Sequence, residues 1–77
     1  MITVYSKENC PLCQKTKILL TNKGVNFEVI NVDTNIEAHE FIVGQGHRSV
    51  PQIYKDGKLF VDGYNELARL SDSELKG

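Results

Sequence analysis

The sequence predicts a single α/β domain over residues 1–77, with elements in the order β-α-β-α-β-β-α. Three observations carry that prediction. A strand, a helix and a second strand follow one another in residues 1–32, which calls for a right-handed crossover between parallel neighbours. Asp56-Gly57, set between two short strand-like runs, is a strong two-residue hairpin signal, so the last two strands are antiparallel. A chain of 77 residues, 40% hydrophobic and 25% charged, makes one globular unit and no more. The sheet is therefore mixed, with helices on both faces.

Each element has its own signal. Ile2-Thr3-Val4-Tyr5 alternates and reads as a strand, and Ser6 to Asn9 is a polar loop. The helix that follows runs through Pro11 and QKTKILLTNKG. Pro11 suits the first helical position, where its missing N–H is no loss, and Gly24 after Lys23 supplies the stop. Thr16, Leu19 and Leu20, together with Leu12 or Cys13, share one face of it. Phe27 to Val32 is the second strand, expected with Ile18 to form a buried β-branched layer. Thr34-Asn35-Ile36-Glu37 has capping-box spacing. The short helix after it should place Ile36, Phe41, Ile42 and Val43 at apolar positions and stop at Gly44-Gln45-Gly46. His47 to Val50 leads as a loop into Pro51. Gln52 to Lys55 and Lys58 to Val61 are the hairpin strands, and Asp62-Gly63 ends the second. Residues 65–71 form the last helix, and Ser71-x-x-Glu74 caps one further turn. Phe27 and Phe41 are expected in the core, and Tyr5, Tyr54 and Tyr64 half-buried.

Composition excludes several function classes. No apolar run approaches the roughly 20 residues that span a bilayer. The opening MITVYSKENC lacks the basic and apolar regions of a secretory signal. A complete cytoplasmic product, monomeric and without a membrane partner, is the expectation. Nine basic and ten acidic residues give a net charge of −1, without the basic excess of a nucleic-acid binder. Charge is uneven along the chain. Residues 1–26 carry Lys7, Lys15, Lys17 and Lys23 against Glu8, whereas residues 27–47 carry Glu28, Asp33, Glu37 and Glu40 with no Lys or Arg.

The positive part holds both cysteines, Cys10 and Cys13. A bridge between them closes a tiny loop and constrains little unfolded chain, so it is a poor staple. Their value is chemical. Cys10 sits at the start of the predicted helix, where free N–H groups and the helix dipole favour a thiolate, and Lys7 adds a cation. Cys13, one turn on and more buried, is placed to resolve the mixed disulfide that Cys10 would form. A zinc site would need two more ligands, and His39 and His47, with seven residues between them, lie outside the usual spacing. No metal is expected. An inert pair is disfavoured because a helix start is where a thiol is hardest to keep inert.

The strand leading into SKENCPLC, the helix KTKILLTNKGV, the segment SVPQIYKDGK and VDGYNEL occur in one register. Over about residues 1–71 the chain resembles the thioredoxin fold, and within it the glutaredoxins and NrdH-redoxins. The resemblance implies a four-stranded sheet of order 2-1-3-4 and a cis Val50–Pro51 peptide beside the cysteines. It makes Cys10 and Cys13 the catalytic pair of a dithiol–disulfide oxidoreductase. The implied substrate or glutathione groove comprises Lys7, Pro11, Leu12, Val50, Pro51, Gly63, Tyr64 and Asn65. Lys7 would hold one end of the tripeptide, the Val50 backbone its middle, and a helix N-terminus near Asn65 the other end.

Departures from the family pattern bear on the electron donor. The tyrosine of CPYC is Leu12, the usual Gly-Gly is Asp62-Gly63, and the acid that pairs with glutathione's ammonium is Asn65, with Glu66 beside it. Gly46-His47-Arg48 looks like the NrdH-redoxin G-x-R element, whereas Phe60-Val61-Asp62-Gly63 stands in place of W-S-G-F. The resemblance implies no bound cofactor, with glutathione as reductant and glutathionylated proteins, other disulfide-containing proteins and ribonucleotide reductase as clients. The alternative is an NrdH-type redoxin reduced by thioredoxin reductase with NADPH. A [2Fe–2S] carrier is a further alternative that Pro11 disfavours.

Overall fold

The computed structural model describes residues 1–76. Strand β1 (Ile2–Ser6) buries Ile2, Val4 and Ser6 and half-buries the residues between them, the period of a central strand. It runs one residue further than its alternation suggested, into Ser6. Helix α1 (Pro11–Asn22) starts with Cys10 in extended backbone and Pro11 in the first helical position. It ends where Gly24 takes φ 71°, with Gly24 N–H bonded to Thr21 O and Val25 N–H to Leu20 O. That paired pattern is a Schellman stop.

Strand β2 (Phe27–Asn31) runs parallel to β1, with Ile2 opposite Phe27. Helix α2 (Ile36–Gly44) follows, then the cis Val50–Pro51 peptide, strand β3 (Gln52–Lys55) and strand β4 (Lys58–Val61). Asp56 and Gly57 both have positive φ, 52° and 82°, which is the type I′ geometry that matches strand twist. Helices α3 (Tyr64–Ala68) and α4 (Asp72–Lys76) close the chain. The four-stranded sheet has the order β2-β1-β3-β4.

Two apolar clusters hold the layers together. Ile2, Val4, Ile53 and Val61 on one sheet face pack with Leu20 of α1, Leu67 of α3 and Leu75 of α4. On the other face Ala38 and Ile42 of α2 pack with Val32, Tyr5, Ile30 and Val50. Among the described residues, no helix is long and apolar enough to cross a membrane.

Several expectations are corrected. The cap of α2 is Asn35, whose side-chain oxygen accepts from Ala38 N–H at 3.0 Å, while the Thr34 hydroxyl turns back to Asn31 O. The expected buried layer at β2 is an edge strand: Glu28 and Val29 are exposed, and Ile18 is 59% exposed. On α2, Ile36 and Val43 face outward and the buried positions are Ala38 and Ile42. Phe41 stands at the rim of the core, its ring tilted against Tyr5 and edge-on to Tyr54. Tyr54 is buried rather than half-buried. The last helix stops at Ala68 because Ser71 and Glu74 start a new one, each accepting the other's backbone N–H. Lys23 Nζ then ties α4 to the end of α1 through Asp72 at 2.7 Å. That exposed pair holds the Asp72 carboxyl below its ordinary value, chiefly through the Lys23 hydrogen bond.

Candidate active site

The end of β1, the start of β3 and the end of β4 lie at one end of the sheet. Tyr5 pairs with Gln52, so Pro51 sits across from the end of β1, and the loop to Cys10 leaves from the same end. Ile53 pairs with Val61, which brings Asp62 to that end as well. Asn9 takes φ 55°, a left-handed turn that an asparagine tolerates, immediately before Cys10.

Cys10 is the N-cap of α1. Its Sγ accepts the N–H of Cys13 at 3.2 Å, so a backbone donor of the first helical turn points at that sulfur. Both cysteines are free thiols in this structure, with Cys10 7% and Cys13 1% exposed. Cys13 lies against the core side of α1 beside Thr16, whose hydroxyl is satisfied by Leu12 O at 2.9 Å. Leu12, between the cysteines, is 42% exposed, so Cys13 and not Leu12 belongs to the inner face.

Burial pushes the Cys13 thiol up to about 11, helped by its hydrogen bond to Cys10; the Lys7 backbone and Lys17 oppose the rise. This has a measurable consequence. Cys13 stays neutral in the fold over a range in which it ionises in the unfolded chain. Its contribution is complete below the unfolded thiol value of about 8.5. It is lost as pH climbs towards about 11. The melting temperature of the reduced protein should therefore fall more steeply across this window than that of Cys13→Ser. Parallel pH profiles for the two proteins would contradict this.

The remaining candidates are only partly brought together. Lys7 and Val50 line one cleft of about 390 Å³ with Asp33, His39, His47 and Arg48. His47 is fixed there by a 2.9 Å hydrogen bond between its ring Nε2 and the Tyr54 hydroxyl. Tyr64 lies elsewhere, in a smaller cleft of about 290 Å³ with Lys15, Ile18, Leu19 and Asn22, and Lys15 Nζ stands 6.0 Å from its ring centre. Gly63, at φ 94°, turns the chain into α3, and Asn65 is exposed on that five-residue helix. Arg48 has no ion-pair partner among the described residues. Nor does any group of three or more His, Cys, Asp or Glu converge as a metal site among them.

The sequence motifs do not single out Gln52. Gln52, 1% exposed, donates from Nε2 to Ser49 O at 2.9 Å and to Asp62 Oδ1 at 2.8 Å. Its Oε1 is buried without a partner. An unsatisfied buried acceptor costs about 1–3 kcal/mol, so this orientation is dictated by the two oxygens Gln52 serves. The available signal is a polar residue at the start of a central strand, directly after Pro51.

These features define a class: a thioredoxin-fold domain carrying two thiols at a strand-to-helix junction, opposite a cis proline. The family model described as Glutaredoxin matches residues 2–60, and the chain belongs to the glutaredoxin family. Glutaredoxin 3 of Escherichia coli (strain K12) is 37% identical over 70 residues, 90% of this chain and 83% of that relative. The glutaredoxin-like protein NrdH of Lactococcus lactis subsp. lactis (strain IL1403) is 40% identical over 73 residues, 92% of this chain and all of that relative. Among solved structures, NrdH-redoxin from Escherichia coli superposes with a TM-score of 0.78 at 35% identity, covering 91% of this chain and 93% of its own.

Proposed function

We propose that the protein is a dithiol–disulfide oxidoreductase in which Cys10 attacks and Cys13 resolves. The observation that carries the reading is the capped start of α1: Cys10 Sγ receives a backbone N–H, while Cys13 is buried one turn further on. The Cys10 thiolate attacks one sulfur of a client disulfide, forming a Cys10–client bond and expelling the other client sulfur as a thiolate. Cys13 then loses its proton and attacks the Cys10 sulfur. The second client thiolate leaves, and a Cys10–Cys13 disulfide remains. Two electrons have passed to the client.

The high Cys13 value fits this order. Part of it comes from the hydrogen bond to Cys10 and from charge on Cys10. Both vanish once the Cys10 sulfur is in a mixed disulfide, so Cys13 becomes easier to ionise at the step that needs it. Exposed Leu12 gives the client an apolar contact beside the sulfurs, and the Val50 backbone offers strand-like pairing.

Glutathionylated proteins and ribonucleotide reductase are the clients we assign. Glutathione is the reductant that Lys7, Val50 and the start of α3 suit. Thioredoxin reductase with NADPH is the second reading. It is favoured by Asp62, held by Gln52 in the segment where a glutathione carboxylate would otherwise sit. A solved relative, NrdH-redoxin of Escherichia coli, is described by its thioredoxin-like activity profile. The test is NADPH consumption with the oxidised protein in two cuvettes, one with glutathione and glutathione reductase, the other with thioredoxin reductase. Turnover in the first supports the glutathione donor, and turnover only in the second supports the reductase. Silence in both would overturn the oxidoreductase reading.

A further inference from the structure

Resting on that oxidoreductase reading, we propose that Asp62 is a charge-selecting residue of the cysteine groove, positioned by Gln52, and that it biases the protein towards disulfides with cationic flanking residues. Three observations support this. First, the Asp62 carboxylate is anchored. Gln52 Nε2 has two hydrogens, and one goes to Asp62 Oδ1 while the other goes to Ser49 O. Turning the amide over would set Oε1 against two oxygens, so the donor side faces Asp62. Glutamate could not donate these bonds, and asparagine is one methylene shorter. The same amide thereby ties together two stretches of backbone: Ser49, which leads into Val50 and Pro51, and Asp62, which leads into Gly63.

Second, the negative charge there is not cancelled. Asp62 N–H reaches Glu66 Oε2 at 3.4 Å, so a second carboxylate turns into the same segment. Neither acid has an ion-pair partner among the described residues. Of the cations near the groove, Lys7 and Arg48 line the cleft on the Val50 side, and Lys17 lies close enough to Cys13 to act on its thiol. A segment that pairs with the Val50 backbone would thus meet cationic groups on one flank and Asp62 with Glu66 on the other.

Third, Gln52 keeps this arrangement although its Oε1 is buried and unpartnered. An apolar residue of similar length would fill the space without stranding an acceptor, so local packing alone does not call for the amide.

The experiment uses two disulfide-linked peptides of identical sequence except for Lys or Glu beside the cysteine. The quantity read is the ratio of kcat/KM for the cationic over the anionic peptide. Asp62→Asn keeps an oxygen for Gln52 but removes the charge. It should lower the ratio about fivefold at low salt, and the difference should shrink as salt rises to about 1 M. Gln52→Met frees Asp62 without removing it. It should lower the ratio by a smaller amount, chiefly through KM, while melting temperature holds or rises. A ratio unchanged by Asp62→Asn at low salt would overturn the proposal even with both peptides turned over. Failure of the unmodified protein to reduce either peptide would overturn the oxidoreductase reading, and this proposal with it.

Discussion

Replacing Cys10 with serine should leave the domain folded and lower its disulfide reductase turnover by about a thousandfold or more. The two effects separate because of the residue's position. Cys10 is the N-cap of α1, and its sulfur accepts the N–H of Cys13, the third residue of the helix. Serine is among the preferred residues for that bond, so the helix start survives the exchange. The nucleophile does not, since a hydroxyl is a far weaker attacking group than a thiolate. Cys13→Ser should behave differently: it retains the attack and loses the release, so a protein–client mixed disulfide accumulates and is read by mass. Reductase activity retained in Cys10→Ser, with the mixed disulfide forming at Cys13, would reverse the assignment.

Truncating Leu20 to alanine should remove about 2–5 kcal/mol of stability. Leu20 is fully buried in α1 and packs with Val4 and Ile53 of the sheet and Leu67 of α3. Domains carry about 0.05–0.15 kcal/mol of stability per residue, so a chain of this length has little in reserve. For a small domain each kcal/mol moves the melting temperature by about 4–8 °C, so the loss is visible in a thermal scan. Loss of α1 packing also releases the helix start that presents Cys10, and activity should fall with the folded fraction. A destabilisation of less than about 1 kcal/mol would mean that α1 is not the keystone of this face.

Much of the fold is legible in the sequence because its signals are local. Asp56-Gly57 sets β3 and β4 to the residue, Gly24 ends α1, and Ser71 with Glu74 starts α4. Signals that depend on tertiary surroundings mislead. FEVINV reads as a buried strand, yet β2 pairs only with β1 and lies at the sheet edge. Thr34 and Asn35 are both good caps, and which one serves depends on the turn that Asn31 makes by accepting Asp33 N–H at 2.8 Å. At the candidate site, spacing alone marks Cys10 and Cys13 as a pair. The Gln52 contact with Asp62 is invisible, because it depends on β3–β4 register. That register shifts between Ile53 and Tyr54, which face Val61 and Leu59 and leave Phe60 as the extra residue.

As a dithiol–disulfide oxidoreductase, the protein should use Cys10 and Cys13 as one two-electron redox couple. This is tested by equilibrating the protein across dithiol–disulfide buffers, trapping free thiols by alkylation and mapping the cysteines. One transition is expected, with Cys10 and Cys13 disappearing together into a bond with each other, between about −270 and −120 mV. Cysteines that remain alkylatable across that range, or that oxidise only between separate molecules, would contradict it.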